Sequence, residues 1–286
     1  MPDLYKVKSF SDRASQGNLA GVVTNAIGLS DEEMQSIAKL VDASETAFIL
    51  PSSTADLRIR WFTPNTEVGI CVHATVAALG VLQALGDISK EIIRVETKNT
   101  ILVCHLRANN IFINISDYQL MSKTALDPHI LSLLTLSLSQ IVNTPGIVKI
   151  LEDYELVVEV GSFDDLRQLQ PMQEKYSAVC SALKVTGISI FTRETLHPNN
   201  QVHFREFAPD LGYFEDPLCG MASGAIYTYL GTKQPLHIEQ GYFCNTSGII
   251  LVEPGDDNTV WVGGTYCINE HIPDIDITSI GLRAKL

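Results

Sequence analysis

Apolar and polar positions in the first half of the chain follow two different periods. From Met34 onward apolar residues recur at helical spacing, and Ser30 with Glu33 three residues later has the pattern of a capping box, so we predict a helix that runs to about Val41. Residues 57–61 alternate between apolar side chains and arginine, which is the period of a half-buried strand. The other elements predicted in this half are a buried helix over residues 74–85 and strands over residues 92–96, 101–106 and 111–115.

The second half of the chain repeats this order of elements after a connection that we predict around residues 117–127. Residues 222–230 are apolar nearly all round, which predicts a second buried helix, and Gly231 is suited to its C-cap. Short β-branched runs predict strands over residues 147–151, 156–160, 187–191, 202–207, 243–253 and 259–263.

One sequence motif occurs once in each half. It reads Arg-x-Phe-x-Pro, then a short gap, then Glu-x-x-x-Cys-x-x-Ala, and it extends from Arg60 to Ala74 and again from Arg205 to Ala222. Because six residue types agree in order, we interpret the chain as an internal duplication. Each copy leads from a strand through a proline turn into a buried helix. We expect the two polar turns to face each other across a cleft between the halves and to form one active site.

Composition and charge narrow the class of protein. The 286 residues are 45% apolar, which suffices for two domains of ordinary size. A formal charge of −13, from 33 acidic and 20 basic residues, argues against nucleic acid and anionic membranes as partners. Without a secretion signal or a membrane-spanning apolar run, we expect a cytoplasmic protein whose six cysteines are reduced thiols.

The starts of the two buried helices carry the candidate chemistry. A helix N-terminus presents free N–H groups and the positive end of a dipole, so each turn is suited to bind a small anion. Glu45, His73 and Asp216 are the candidates for proton transfer near these turns, although capping or ion pairing is the commoner role of a single acidic residue at a turn. The other histidines lack metal-ligand spacing, so we expect no metal site. The residues expected to contact the substrate are Asn18, Ser44, Val72, Gly220, Met221 and Ala222.

Several segments together resemble the PhzF-like family of phenazine biosynthesis, in the same order and at similar spacing. They lie at residues 17–20, 34–38, 44–48, 60–64, 67–75 and 215–217. The resemblance implies an α/β (α+β) fold of the diaminopimelate epimerase type, with two pseudo-symmetric halves that each wrap a mixed, largely antiparallel sheet around a central helix. It implies halves at residues 1–117 and 118–274, with a C-terminal strand at about 275–286 that returns to the first half.

The resemblance also implies a reaction. Family members are isomerases that need no cofactor, in which the residue matching Glu45 is the acid/base that moves a proton between two carbons. The residues that match His73 and Asp216 position the substrate and assist the transfer. The implied partner is a small carboxylate-bearing substrate, and homodimers are usual in the family.

Three departures from the family pattern leave the substrate open. Val72 stands where glycine is usual, residues 219–221 read Cys-Gly-Met in place of Thr-Gly-Ser, and residues 244–247 replace a Gly-Arg-Pro-Ser run and so remove a guanidinium. One alternative is an amino-acid racemase or epimerase in which Cys71 and Cys219 act as thiolate base and thiol acid. The other is a small-molecule-binding protein that has lost catalysis.

Overall fold

The described chain forms two compact units. The computed structural model of the protein describes residues 2–41, 43–210, 214–256 and 259–275. The first unit extends to Asn114 and resumes at Gly263, and the second comprises Ile115–Val262. Beyond residue 275, the strand predicted at about 275–286 lies outside the described residues.

The secondary structure of the described residues is mixed. The helices are α1 (Asp31–Val41), α2 (Val72–Leu85), α3 (Pro128–Leu133), α4 (Phe163–Gln168), α5 (Gln173–Leu183) and α6 (Gly220–Leu230). The strands are β1 (Leu4–Ser9), β2 (Asn18–Val23), β3 (Glu45–Leu50), β4 (Leu57–Phe62), β5 (Glu67–Val68), β6 (Ile92–Glu96), β7 (Ile101–Arg107), β8 (Asn110–Ile115), β9 (Tyr118–Lys123), β10 (Gly146–Ile150), β11 (Asp153–Glu159), β12 (Gly187–Thr192), β13 (Val202–Phe207), β14 (Glu215–Asp216), β15 (Leu236–Gln240), β16 (Gly248–Pro254), β17 (Val260–Gly264) and β18 (Tyr266–Ile272). Among the described residues, no helix has both the length and the apolar character needed to cross a membrane.

Strand pairing follows the same sequence of directions in both units. In the first unit β1 and β2 are antiparallel, β2 and β3 parallel, β3 and β4 antiparallel, β4 and β6 parallel, and β6 and β7 antiparallel. In the second unit β10, β11, β12, β13, β15 and β16 pair in the same alternation. An added strand extends each sheet, because β18 pairs with β1 and β9 pairs with β10. Each unit therefore has the predicted mixed, largely antiparallel sheet, and the pseudo-symmetry of the two halves is confirmed.

A buried helix packs against each sheet. In the first unit α2 packs on β1, β2, β3 and β18, and in the second α6 packs on β9 to β12 and on β16. All residues from Val72 to Leu82 are buried, as expected for a helix that is apolar all round. Both helices end at a left-handed glycine, Gly86 with φ 79° and Gly231 with φ 63°, so the predicted C-cap is confirmed.

Shorter helices cover the other side of the sheets. In the first unit α1 packs on β3 and β4, and its capping box is present: the Ser30 amide donates to Glu33 at 2.8 Å and the Glu33 amide donates to the Ser30 hydroxyl at 3.2 Å. This interaction stabilises the first turn of α1 by about 1 kcal/mol. In the second unit α4 packs on β12 and β13 and α5 packs on β12, and the rings of Tyr176 and Phe207 are buried in the same apolar cluster.

Two sequence predictions about loops and strands were wrong. The connection predicted at 117–127 contains β9, whose side chains after Tyr118 are all exposed, so no apolar alternation marks it. The strand predicted over 243–253 begins only at Gly248, because Gly241 (φ 99°) and Asn245 (φ 55°) bend the chain through a 3₁₀ turn. Helices α3, α4 and α5 were not predicted, although Asp127 and Ser162 cap the first two with their side chains.

Gly80 of α2 is a site of close packing and gives a first prediction. A Cβ atom at Gly80 would lie 2.5 Å from Cγ of Tyr266 in β18, and Gly224 of α6 meets the ring of Tyr118 in β9 in the same way. Gly80→Ala is therefore expected to lower the free energy of unfolding by about 1–3 kcal/mol, despite a helix-propensity gain of about 1 kcal/mol.

Urea denaturation measures this change. The matched control is Gly69→Ala, because the nearest atom to a Cβ at Gly69 lies 3.7 Å away. Its free energy of unfolding should stay within about 0.5 kcal/mol of the parent protein. A Gly80→Ala variant as stable as Gly69→Ala would contradict the packing argument.

Candidate active site

The repeated motif builds the same local structure twice. Arg60 donates two hydrogen bonds to Glu67, at 2.7 and 3.0 Å, and Arg205 donates two to Glu215, both at 2.8 Å. Each guanidinium carbon lies 5.1 Å from the ring centroid of the phenylalanine two residues later. The arginine and glutamate of each copy thus tie a strand to the turn before the central helix, and their role is structural.

In the first unit this turn brings four predicted site residues together. Nε2 of His73 lies 3.3 Å from Oε2 of Glu45 and 3.0 Å from the hydroxyl of Ser44. Nδ1 of the same ring lies 3.3 Å from Sγ of Cys71. The imidazole of His73 therefore stands between a carboxylate and a thiol, and it contacts both.

Three chain segments position this group. The parallel pairing of β2 with β3 places Ser44 beside the start of β2, where its hydroxyl contacts Asn18 Oδ1 at 3.3 Å and the Leu19 carbonyl at 3.2 Å. Cys71 is the N-cap of α2, so His73 lies in the first turn of that helix. The buried Ser9 hydroxyl donates to the carbonyl of His73 at 2.7 Å and fixes the helix start against the end of β1.

Glu45 is a largely buried carboxyl whose pKa is raised. Its side chain is 18% exposed, and its Oε2 is buried without a hydrogen-bond partner. Nε2 of His73 lies 3.3 Å from Oε2, but the contact does not have hydrogen-bond geometry. Burial raises the pKa of Glu45, and hydrogen bonds from Ser44 and Cys71 lower it by a smaller amount. A carboxyl with a raised pKa is a stronger base than an exposed glutamate once it is ionised.

Among the described residues, the same group has the spacing of a metal site. One ligand atom each from Glu45, Cys71 and His73 lie within 4.8 Å of one another. Thiolate, imidazole and carboxylate are ligands that suit Zn²⁺, and three protein ligands leave a coordination position open. The expectation that no metal is needed stays a prediction.

In the second unit Asp216 and Cys219 belong to a different network. The Leu218 amide donates to Oδ1 of Asp216 at 3.0 Å. Gln240 joins the two ends of this turn, because its Nε2 donates to the Asp216 carbonyl at 2.6 Å and its Oε1 accepts from the Cys219 amide at 2.7 Å. Gln240 was not predicted as a member of this network, because it lies more than 20 residues after Asp216 and Cys219 and belongs to no recognised motif.

The predicted substrate contacts divide between the two units. In the first unit, Asn18 and Val72 are both buried, at the starts of β2 and α2. In the second unit, Gly220, Met221 and Ala222 form the first turn of α6, where the Tyr118 hydroxyl donates to the Met221 carbonyl at 2.9 Å. Met221 stands where His73 stands in the first copy of the motif, so the two copies differ at the residue that carries the imidazole.

The second unit also contains two buried carboxyls that sequence reasoning missed. The Ser189 hydroxyl on β12 lies 2.7 Å from Glu155 on β11 and 2.7 Å from Glu206 on β13, and both glutamates are at most 5% exposed. One hydroxyl hydrogen cannot serve both contacts, so one of the two carboxyls carries a proton. The available signal was a glutamate in the middle of β11 and another in β13, although each strand also contains other charged residues.

The internal repeat relates this pair to Glu45. Gly187 of β12 occupies the position in the second unit that Glu45 of β3 occupies in the first. In the first unit Glu45 pairs with Ala20 of β2, and in the second Gly187 pairs with Glu155 of β11. A Cβ at Gly187 would collide with the carboxylates of Glu155 and Glu206. In the second unit a carboxyl pair from neighbouring strands therefore occupies the place of the missing side chain.

These carboxyls influence the thiol at the start of α6. Burial, and then the charges of Asp216 and Glu206, raise the pKa of Cys219 well above its usual range. Cys219 is therefore a protonated thiol at neutral pH, in contrast to the activated thiolate that a helix N-terminus alone would favour.

The fold and its relatives define the class of protein. A crystal structure of a PhzF-family phenazine biosynthesis protein from Bacillus anthracis matches with a TM-score of 0.86 at 25% identity, covering 96% of this chain and 99% of that one. A predicted epimerase from Pseudomonas aeruginosa matches in fold, with a TM-score of 0.78 at 19% identity over 96% of this chain and 100% of its own. An uncharacterized isomerase of Clostridium acetobutylicum is 32% identical over 242 residues, covering 80% of this chain and 78% of the relative. The protein is an isomerase with the diaminopimelate epimerase-like fold.

The family can also be stated. The model of the phenazine biosynthesis-like protein family, PhzC-PhzF, matches residues 7–268. The chain belongs to that family, as the sequence motifs predicted.

Proposed function

We propose that the protein is a cofactor-independent isomerase in which Glu45 takes a proton from one carbon of a small carboxylate-bearing substrate and returns it to another. The observation that supports this most directly is the state of Glu45: a largely buried carboxyl whose Oε2 has no hydrogen-bond partner and whose pKa is raised by burial. A free lone pair on such a group is suited to accept a C–H proton.

The proposed reaction balances without an external oxidant or reductant. As the C–H bond breaks, its proton forms a bond to Oε2 of Glu45 and its electron pair delocalises toward the adjacent carboxylate or double bond. The amides and the positive dipole end at the N-terminus of α2 stabilise the negative charge that develops there. The proton then returns from Glu45 to the second carbon, which regenerates the enzyme.

Other residues are proposed to bind and orient the substrate. His73 contacts Glu45 at 3.3 Å and is suited to donate a hydrogen bond from Nε2 to the reacting group. We assign Asp216 an assisting role, as the family resemblance implies, and we assign Asn18, Ser44 and the first residues of α6 to substrate contacts. The absence of an arginine in residues 244–247 favours a substrate with few negative charges beyond its carboxylate.

The test is a screen of unsaturated, hydroxy and amino carboxylic acids in D₂O, with deuterium uptake read by mass spectrometry. We expect uptake at carbon in one of these classes, and we expect the uptake to disappear in Glu45→Gln. Saturable ligand binding without deuterium uptake in the parent protein would instead support the binding-protein alternative.

The two-thiol racemase has weaker support. Cys71 and Cys219 occupy equivalent helix N-cap positions, which favours it. Against it, the pKa of Cys219 is raised by burial and by neighbouring acids. In that alternative, iodoacetamide would inactivate the protein and substrate would protect both thiols; inactivation of Glu45→Gln with both thiols intact would exclude it.

A further inference from the structure

Three side chains at the start of α2 contact one another in a triangle. Nε2 of His73 lies 3.3 Å from Oε2 of Glu45, and Sγ of Cys71 lies 3.3 Å from Nδ1 and 4.0 Å from Nε2 of the same ring. The Cys71 thiol also hydrogen-bonds to the Glu45 carboxyl. An imidazole, a thiol and a carboxyl therefore converge, and each of them contacts the other two.

The separations in this triangle are close to those of a tetrahedral zinc site. Zn²⁺ binds thiolate sulfur at about 2.3 Å and imidazole nitrogen or carboxylate oxygen at about 2.0–2.2 Å, so its ligand atoms stand about 3.3–3.6 Å apart. The Nε2–Oε2 distance already has this value, and the Sγ–Nε2 distance exceeds it by about 0.5 Å. The sulfur and the carboxylate lie within 4.8 Å of each other. Rotation of the imidazole and the thiol about their side-chain torsions directs all three atoms to one ion.

Glu45 gives this group an acceptor that the protein leaves unused. Its Oε2 is buried and has no hydrogen-bond partner, although it faces the imidazole of His73. A buried carboxylate oxygen without a partner is costly, and a bound cation removes that cost. Cys71 and His73 are buried whereas the side chain of Glu45 is 18% exposed, so the carboxylate offers the side from which an ion can enter.

We propose that Glu45, Cys71 and His73 bind one Zn²⁺ ion, with water at the fourth position, and that the bound ion inhibits the isomerase. As the Zn–S bond forms, the S–H bond of Cys71 breaks and its proton is released to solvent, with no transfer of electrons between metal and protein. The inhibition rests on the proposed function, because Zn²⁺ then occupies the Oε2 lone pair that would accept the C–H proton.

The second copy of the motif lacks this ligand set. Cys219 keeps the cysteine at the start of α6, but Met221 stands in the place of the histidine and Gly187 in the place of the glutamate. One thiol at a helix start provides a single ligand, so the second copy is not expected to bind Zn²⁺. The internal duplication therefore supplies a matched control within the same chain.

Co²⁺ is the probe for the site, because it accepts the same ligands as Zn²⁺ and a thiolate bound to it absorbs in the near ultraviolet. Metal-free protein is titrated with CoCl₂, and ZnCl₂ then displaces the probe. We expect one equivalent of Zn²⁺ with a Kd of about 1 µM or lower. Cys71→Ser should lose the absorption band. His73→Asn and Glu45→Gln should each weaken Zn²⁺ binding at least about tenfold, and Cys219→Ser should keep both the band and the affinity.

Deuterium uptake tests the inhibition. With free Zn²⁺ at about 100 times its Kd, about one molecule in 100 remains metal-free, so the rate of uptake should fall about 100-fold. Addition of EDTA should restore the rate of the parent protein.

Several results would overturn the proposal. They are the absence of a Co²⁺ band, a band that persists in Cys71→Ser, and a band that disappears in Cys219→Ser. If Cys71→Ser does not fold, unchanged Zn²⁺ affinity in His73→Asn has the same consequence. Zn²⁺ that binds here and accelerates uptake would refute the inhibitory role. The proposed function fails separately, if metal-free Glu45→Gln retains deuterium uptake, because the Co²⁺ titration does not depend on turnover.

Discussion

Glu45→Gln is expected to lower the rate of deuterium uptake by about 10³-fold. The amide keeps the size and most hydrogen bonds of the carboxyl but cannot accept a proton from carbon, and a positioned general base contributes about 10²–10⁴-fold to such a reaction. The measurement is the initial rate of solvent deuterium incorporation into a substrate found by the screen.

A measurement of thermal stability distinguishes the loss of the general base from misfolding of the variant. Because burial raises the pKa of Glu45, the ionised group lowers the free energy of unfolding at neutral pH, and the neutral amide removes that cost. Glu45→Gln should therefore unfold at the same temperature as the parent protein or at a higher one. Glu45→Asp keeps a carboxylate on a shorter side chain and should retain measurable uptake. A destabilised, inactive Glu45→Gln variant would not support the assignment.

The pH profile gives the same assignment independently. If Glu45 is the base, kcat/KM rises with pH as its carboxyl ionises, and the midpoint of this rise should lie above the ordinary carboxyl value of about 4.3. Burial of Glu45 sets this direction. A midpoint at or below the ordinary value would mean that a different, more exposed group controls the rate.

Glu206→Gln is expected to raise the stability of the protein at pH 8. Burial raises the pKa of Glu155 to about 7, and burial together with the charge of Glu155 raises the pKa of Glu206 further above its usual range. The negative charge of Asp153 also raises the pKa of Glu155, and that of Asp216 raises the pKa of Glu206. The folded protein therefore binds more protons than the unfolded chain between the ordinary carboxyl pKa and the raised ones.

The sign of the effect follows from this difference. Below about pH 4 both states are protonated at these carboxyls and the stabilisation is fully present. It is lost as pH rises through the raised pKa values of Glu155 and Glu206. At about 1.4 kcal/mol for each pH unit, the rise of the Glu155 pKa from 4.5 to about 7 by itself corresponds to a loss of about 3–4 kcal/mol by pH 8. A glutamine at 206 can still donate to Glu155 and removes one buried charge.

Urea unfolding between pH 5 and pH 8 tests this prediction. The free energy of unfolding of the parent protein should fall across this range, and the fall should be smaller in Glu206→Gln. Glu152→Gln is the matched control, because Glu152 is an exposed glutamate on the turn next to β11 and its replacement should leave the slope unchanged. Equal slopes for the parent protein and Glu206→Gln would refute the shared-proton arrangement.

The local elements and the duplication could be predicted from the sequence. The capping box of Ser30 and Glu33 and the apolar character of α2 and α6 depend on neighbours within a few residues, so periodicity was sufficient to find them. The repeated Arg-x-Phe-x-Pro motif predicted two equivalent helix starts, because its arginine and glutamate pair within ten residues of chain. The family resemblance then named Glu45 and His73 as members of one site.

The tertiary structure alone decided which side chains meet across strands. Glu155, Ser189 and Glu206 come from three strands, and only the register of β11, β12 and β13 brings them together. Strand β9 could not be predicted either, since its residues after Tyr118 are exposed without apolar alternation and acquire strand structure by pairing with β10. The sequence determined the elements, the repeat and the reactive residue types. Protonation states and hydrogen-bond partners depend on burial and on contacts between segments remote in the chain, so only the folded structure could assign them.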